Sequence, residues 1–229
     1  MPTLRVNDLE MFYRERGDGP TVVALHPATV SGAEMGWLAG FITHEGFNVV
    51  TPDQRGHGQT ANPAPDLHLP RLVEDLLEFV YLLGRTPLHG VGYSMGGVVM
   101  LYAAARRPDL FRSLVLLGMN YRAPSAARLN RVLGPPEGRS DIVRQVFDPE
   151  RGILHGWDVN LETFRPIACR TLIISGDRDE FNDAEDNLAL YRTLTNAEIC
   201  MVPNCGHFDL VNHAVVTAAV RDFYLRVPR

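Results

Sequence analysis

The chain has 229 residues and a formal net charge of −5, a length that suits a single α/β domain. All 22 basic residues are arginine, and without lysine the chain forms neither the Schiff base of a pyridoxal enzyme or class I aldolase nor a P-loop. The acidic balance argues against a nucleic-acid partner, and the longest apolar runs are too short to cross a membrane.

Cysteine usage and the N-terminus indicate the expected compartment. Cys169, Cys200 and Cys205 lack CxxC spacing, which favours reduced thiols over disulfides or a zinc site. No basic region followed by an apolar core opens the chain, so we expect no signal peptide and a cytoplasmic location. We expect no metal and no cofactor, and a small-molecule substrate as partner. The sequence gives no indication of oligomeric state.

Strand and helix patterns alternate along the chain, which predicts a mostly parallel, doubly wound α/β sheet. A hairpin is predicted first, followed by buried strands. The predicted strands are 4–6, 11–16, 21–25, 47–51, 88–91, 113–117, 170–175 and 199–202. The predicted helices are 33–44, 69–83, 95–107 and 214–225, of which 69–83 has the clearest apolar face.

The segment 120–166 is long for an ordinary connection between a strand and the next. It is rich in arginine and proline and has two weak helical patterns, near 125–133 and 140–147. We interpret it as a short cap inserted over the carboxyl edge of the sheet, where ligands bind in open α/β folds. The core would then comprise 1–119 and 167–229, with one domain overall.

The strongest chemical signal is Gly92-Tyr93-Ser94-Met95-Gly96-Gly97. It follows a predicted strand directly and opens a predicted helix, which is the context of a nucleophile elbow. Small residues are needed there because the chain turns tightly, and the helix N-terminus favours developing negative charge. Ser94 is therefore the candidate nucleophile; the alternative is a glycine-rich turn with a capping serine.

A serine nucleophile needs a base, and the base needs an acid to orient it. His207 lies in a loop after the last strand, whereas His213 is expected inside the closing helix as a structural residue. Asp177 and Asp179 both follow the strand 170–175. We choose Asp179 as the acid and expect Asp177 to fasten the loop, paired with Arg178 or Arg55.

The oxyanion of acyl transfer needs two backbone N–H donors. Met95, directly after the nucleophile, supplies one of them. The second is expected from the loop after the strand 21–25, where Pro27 has no N–H. We assign the role to Ala28, with Thr29 as the reserve.

These motifs resemble the α/β-hydrolase superfamily, in particular its small esterase, haloperoxidase-like and carbon–carbon hydrolase branch. Two motifs match it closely: Tyr93-Ser94-Met95-Gly96-Gly97 and Gly206-His207-Phe208. The resemblance implies a triad of Ser94, Asp179 and His207, and it implies that Asp53-Gln54-Arg55-Gly56-His57-Gly58 is a structural loop. The family usually has His-Gly where this chain has His26-Pro27, and its caps are often fuller, which suggests a fairly open pocket here.

The expected function is cleavage of a small, largely apolar ester or thioester by a serine hydrolase through an acyl-enzyme on Ser94. Two alternatives use the same residues: a carbon–carbon bond hydrolase or lyase, and a slow-turnover ligand-sensing module. A non-catalytic interaction domain is a third. Aromatic residues near the active edge are candidate lining residues of the substrate pocket: Trp37, Tyr93, Tyr121, Phe147, Trp157 and Phe164.

Overall fold

A computed structural model describes residues 2–157 and 160–227. Within those residues, eight strands form one sheet, and every predicted strand is present. The strands are β1 (Thr3–Val6), β2 (Leu9–Arg16), β3 (Thr21–Leu25), β4 (Asn48–Pro52), β5 (Leu88–Tyr93), β6 (Phe111–Leu117), β7 (Arg170–Gly176) and β8 (Ala197–Val202).

The sheet has the order β1-β2-β4-β3-β5-β6-β7-β8. The hairpin β1–β2 pairs antiparallel and β2 joins β4 antiparallel, whereas all pairs from β4 to β8 are parallel. The predicted mostly parallel sheet is therefore confirmed. Because the parallel strands point the same way, the loops that follow β3, β5, β6, β7 and β8 meet at one edge.

Helices cover both faces of the sheet, as buried parallel strands require. They are α1 (Gly36–Ile42), α2 (Leu69–Leu83), α3 (Met95–Arg106), α4 (Ala126–Leu133), α5 (Asp141–Val146), α6 (Ala184–Thr193) and α7 (Ala214–Arg226). The apolar sides of α2 and α3 pack on one face of the sheet. Those of α1 and α7 pack on the other face. No helix within the described residues is both long and apolar enough to cross a membrane.

The structure corrects three details of the predicted elements. The helix expected over 33–44 is a short α1 between two 3-10 turns, in a stretch with Gly32, Gly36 and Gly40. Helix α6 was not predicted at all. His213 is not inside the closing helix; it is its N-cap, and its side chain accepts a hydrogen bond from the backbone N–H of Val215.

The segment between β6 and β7 contains α4 and α5, close to the predicted helical stretches; residues 158 and 159, within the predicted 120–166 segment, lie outside the described residues. It is fastened to the start of α2. Backbone N–H groups of Leu67 and Leu69 donate to the carbonyls of Arg151 and His155, at 2.6 and 3.2 Å. The rings of His68 and His155 stack with centroids 4.1 Å apart.

The loop after β4 carries a buried ion pair that secures it to α2. Arg55 is 1% exposed and donates from Nε to Asp75 Oδ2 at 2.6 Å. It also binds the carboxylate of Asp8 at the β1–β2 turn. The expected pairing of Arg55 with Asp177 is therefore wrong, because these two carboxylates occupy the guanidinium.

Candidate active site

A sharp turn joins β5 to α3 and carries Ser94. Ser94 has φ 51° and ψ −120°, a region that residues with side chains rarely adopt. A Cβ atom at Gly92 would collide with the backbone of Gly96, and one at Gly96 with the carbonyl of Leu25. Glycine is therefore required on both sides of the serine. The hydroxyl of Ser94 makes no capping bond to α3.

Three side chains from three different loops meet beside this turn. Ser94 follows β5, Asp179 follows β7 and His207 follows β8. Ser94 Oγ lies 3.0 Å from Nε2 of His207. Nδ1 of His207 lies 2.9 and 3.1 Å from the two carboxylate oxygens of Asp179. An imidazole that donates from Nδ1 to the carboxylate keeps Nε2 as an acceptor for the serine proton.

The carboxylate of Asp179 is held by its own loop. Its Oδ1 accepts from the backbone N–H of Phe181 at 2.9 Å, and its Oδ2 accepts from Nδ2 of Asn182 at 2.8 Å. Burial acts to raise the pKa of Asp179, but the hydrogen bond and charge of His207, together with these donors, outweigh burial and lower it. Asp179 is therefore ionised at neutral pH.

Three hydrogen bonds hold the loop that carries His207. Tyr93 donates from its hydroxyl to the carbonyl of His207 at 2.8 Å, and burial raises the pKa of Tyr93 so that the donor stays protonated. The backbone N–H of His207 donates to Glu180 at 2.9 Å. Asp177 accepts at 3.2 Å from the backbone N–H of Cys205. Asp177 thus fastens this loop, and Asp179 is the acid within reach of the imidazole.

Two backbone N–H groups are available where an oxyanion site is expected. Ala28 and Met95 both line the cavity around Ser94. Met95 is the first residue of α3 and has no partner for its N–H within the helix. The N–H of Ala28 donates no hydrogen bond within the part of the chain that the structure describes. Thr29, the reserve donor, has φ 68°.

His26 secures this loop beside β4. Its Nε2 accepts from the backbone N–H of Gln54 at 2.9 Å, and its Nδ1 lies 2.7 Å from the carbonyl of Pro27. Burial lowers the pKa of His26 to about 4, so the ring is neutral at pH 7. A neutral ring is what this pattern needs, because Nε2 accepts and Nδ1 donates.

A cavity of about 410 Å³ opens directly over Ser94 and His207, within the range of small-molecule sites. Its lining comes from the edge loops and from the segment between β6 and β7. The edge loops contribute Pro27, Ala28, Thr29, Val30, Glu34, Gly118, Met119, Phe181, Asn182, His207, Phe208, Val211 and Asn212, and the elbow and α3 contribute Tyr93, Ser94, Met95 and Val98. The segment contributes Asn120, Pro124, Leu133, Val143, Phe147, Ile153 and Trp157.

Three of the six aromatic residues singled out in the sequence line this cavity: Tyr93, Phe147 and Trp157. The other three lie elsewhere. Trp37 packs with Phe41 against the α1–α7 side of the sheet. Tyr121 and Phe164 are buried with Tyr102 on the α2–α3 side, where their rings meet edge to face. These three residues pack in the core, so the prediction that they line the pocket is wrong.

The sequence analysis does not identify several residues that line the site, among them Glu34, Asn182, Phe208 and Asn212. Asn182 has a recognisable signal, because an Asn three residues after the acid can bond back to it within the same turn. Glu34 and Asn212 carry no motif. Phe208 belongs to the Gly206-His207-Phe208 motif, and the residue is 69% exposed beside the cavity. Within the described residues, no three His, Cys, Asp or Glu side chains cluster so as to hold a metal ion.

Known proteins resemble this chain in sequence and in fold. The chain is 29% identical over 140 residues to an (E)-2-((N-methylformamido)methylene)succinate hydrolase of Acinetobacter baylyi, covering 59% of this chain and about half (52%) of that protein. It is 25% identical over 243 residues to a 2-hydroxymuconate semialdehyde hydrolase of Pseudomonas putida, covering 87% and 85% of the two chains.

Among solved structures, a thermophilic esterase from Thermogutta terrifontis superposes with a TM-score of 0.80 at 20% identity, covering 99% of both chains. At that identity the likeness concerns the fold. Residues 30–154 match the sequence profile of the alpha/beta hydrolase fold family, a span that includes the serine elbow. The chain belongs to the α/β-hydrolase fold family.

Proposed function

We propose that this protein is a serine hydrolase that cleaves a small, largely apolar ester or thioester through an acyl-enzyme on Ser94. One observation carries the proposal: Ser94 Oγ lies 3.0 Å from His207 Nε2, while His207 Nδ1 lies 2.9 Å from Asp179. These distances fit a nucleophile, its base and the group that orients the base. The strained backbone at Ser94 is the conformation that exposes such a hydroxyl.

The chemistry proceeds in two acyl transfers. His207 takes the proton of Ser94 as the oxygen attacks the carbonyl carbon, and the negative oxygen of the tetrahedral intermediate receives the N–H groups of Ala28 and Met95. His207 then gives the proton to the leaving alcohol or thiol, and the acyl–oxygen or acyl–sulfur bond breaks. Water, deprotonated by the same imidazole, attacks the acyl-enzyme, and Ser94 regains its proton as the acid leaves.

The cavity supports a small apolar acyl group. The segment between β6 and β7 contributes apolar side chains to the cavity lining: Leu133, Val143, Phe147, Ile153 and Trp157. In this proposal the segment is a short cap on a single domain. A volume of about 410 Å³ suits a substrate of ordinary metabolite size.

A fluorophosphonate probe tests the nucleophile. Wild type should be labelled and Ser94→Ala should not, whereas Ser140→Ala, at an exposed serine that makes no side-chain capping bond, should label like wild type. A p-nitrophenyl ester series of increasing acyl length then measures the cavity. Labelling that persists in Ser94→Ala would contradict the proposal.

A carbon–carbon bond hydrolase or lyase with the same triad is the second candidate. The similarity to the 2-hydroxymuconate semialdehyde hydrolase over most of both chains favours it. Parallel assays on ester and vinylogous diketone substrates separate the two, since Ser94→Ala should abolish whichever reaction is native. A labelled protein that turns over neither substrate, yet binds a ligand in equal molar amount, would instead be a ligand-sensing module.

A further inference from the structure

The cavity over Ser94 opens to solvent, and the charge of the residues at its opening affects which substrates can bind. Three of its lining residues are exposed: Glu34, Phe208 and Asn212. We call these three the mouth. Glu34 comes from the loop after β3, whereas Phe208 and Asn212 come from the loop after His207. The mouth is thus built from the two loops that also carry the proposed oxyanion donor and the proposed base.

Formal charge is confined to this mouth. Of the described residues that line the cavity, Glu34 alone has a carboxylate or guanidinium side chain. Its carboxylate forms no ion pair with any described residue, in contrast to Glu15, Glu45 and Glu198, which bind arginines. The remaining polar lining groups, such as Asn120 and Asn182, are neutral amides. The cavity therefore has an uncompensated negative charge at its entrance.

Aromatic rings accompany this charge. Phe208 is 69% exposed at the mouth, and Phe181 meets it edge to face with centroids 5.9 Å apart. Both rings line the cavity. The faces of aromatic rings attract cations, so these rings and the carboxylate of Glu34, which lines the same cavity, can both contribute to binding an ammonium group. A carboxylate on the ligand would find repulsion from Glu34 and no described cation in the lining to offset it.

The part of the substrate that reaches the mouth follows from the proposed mechanism. His207 protonates the leaving group, so the leaving group lies on the His207 side of the reacting carbon. Phe208 is the next residue in the chain, and the mouth begins there. The lining residues from Pro124 to Trp157, in the segment between β6 and β7, are apolar. We therefore expect the acyl group to pack on these residues and the alcohol part to face the mouth.

We propose that Glu34 makes the site selective for esters whose alcohol part carries a positive charge, and selective against those whose alcohol part carries a carboxylate. This inference rests on the proposed esterase function and names its substrate class. At a partly solvated entrance an opposite charge about 6 Å away is worth a factor of about five or more in binding. The preference should shrink as salt is added, because the mouth is exposed to solvent.

Three esters of butanoic acid with matched alcohols test the proposal. The alcohols are choline, 3,3-dimethylbutanol and 3-hydroxypropanoate, which place a cation, a neutral isostere and an anion on the same two-carbon spacer. In wild type we expect kcat/KM for the choline ester to exceed that of the neutral ester about fivefold or more. The carboxylate ester should fall below the neutral one.

Glu34→Gln should bring the ratio of choline ester to neutral ester down toward one and raise the relative rate of the carboxylate ester. Glu137→Gln is the matched control, since Glu137 is exposed on the segment between β6 and β7 and lies outside the cavity lining. It removes the same charge and should keep the wild-type ratio. An unchanged ratio in Glu34→Gln, or a wild-type preference for the carboxylate ester, would overturn the proposal.

Binding of the same three esters to Ser94→Ala, measured by titration calorimetry with and without Glu34→Gln, gives the charge preference without turnover. If wild type hydrolyses none of the esters, the proposed ester chemistry fails while the ratio of dissociation constants still decides the role of Glu34. If the esters are hydrolysed but Glu34→Gln leaves the ratio of their dissociation constants unchanged, the ester chemistry stands and the proposed charge selection is wrong.

Discussion

Asn182 donates from Nδ2 to Oδ2 of Asp179 at 2.8 Å, and the same nitrogen lies 3.4 Å from Nδ1 of His207. The amide therefore positions the carboxylate beside the imidazole, and its 3.4 Å contact with Nδ1 is no hydrogen bond, because Nδ1 donates its own proton to Asp179. A hydrogen bond to a charged group contributes roughly 1.5–3 kcal/mol. Asn182 is in this way a positioning residue for the proposed triad.

Asn182→Ala should lower kcat/KM for a good ester by about tenfold or more, given that energy. The donor from Asn182 helps to lower the pKa of Asp179. Without it the pKa of the Asp179 carboxylate should rise, which an NMR titration of that carboxylate measures. Asn120→Ala, which also removes an amide from the cavity lining, should leave the pKa of Asp179 in place. An unmoved pKa of Asp179 in Asn182→Ala would contradict this role.

The two aspartates after β7 are separable by matched substitutions. Asp179→Asn replaces the carboxylate that accepts from His207 Nδ1 with an amide that can donate to it, and so favours the wrong tautomer, a change that costs about 10⁴-fold in kcat in another serine hydrolase. Asp177→Asn disturbs only a 3.2 Å bond to the backbone of Cys205. We expect a loss of about 10³-fold or more for the first and less than about tenfold for the second, measured by steady-state ester hydrolysis. Equal losses of activity in the two variants would mean that Asp177 could also be the acid that orients His207.

The sequence allowed the candidate triad residues to be placed together because each lies in the loop after a strand of a parallel sheet. Ser94, Asp179 and His207 lie after β5, β7 and β8, and the carboxyl ends of such strands share one edge. The glycines of the elbow added a second, local constraint. Position along the chain was therefore enough to bring the three side chains together.

Only half of the aromatic residues predicted for the pocket line it, because the sequence does not distinguish an aromatic residue packed in the core from one that lines a cavity. Phe164 is fully buried against Tyr102 through a short 3-10 turn that has no clear sequence period. Helix α6 was missed for a related reason. Two of its buried residues are polar, Asp186 and Asn187, and their partners are Arg122 and Ser175, which are distant in sequence. No hydrophobic period signals such a helix.

The ion pair beneath the β4 loop predicts a purely structural substitution. Arg55→Met leaves Asp75 buried at 2% exposure without its cation, which should lower the free energy of unfolding by about 3–5 kcal/mol. Arg107→Met, which breaks the exposed pair with Asp109, should leave the free energy of unfolding nearly unchanged because solvent screens that pair. Urea denaturation measures both. Folded Arg55→Met should still take the fluorophosphonate label, and loss of labelling at temperatures where it is folded would assign Arg55 a part in the site.

Two buried histidines predict how stability depends on pH. Burial lowers the pKa of both His26 and His89 to about 4, against about 6.5 in the unfolded chain. As the pH falls below 6.5, these histidines take up protons in the unfolded chain but not in the folded one. The free energy of unfolding is therefore highest above pH 6.5 and decreases as the pH falls from 6.5 to about 4. Each histidine contributes a slope of about 1.4 kcal/mol per pH unit within that window.

His89 is the better test because it lies at the start of β5, at the opposite end of that strand from Ser94, so its substitution leaves the candidate site in place. Its Nδ1 contacts the hydroxyl of Ser113 at 2.8 Å. In His89→Gln the slope of unfolding free energy between pH 4 and pH 6.5 should drop by about 1.4 kcal/mol per pH unit. His44→Gln, at an exposed histidine, should keep the wild-type slope. Urea midpoints measured across the window give the slopes. A His89→Gln slope equal to that of wild type would mean that the imidazole is charged in the folded protein, and the neutral, buried state argued for His89 would be wrong.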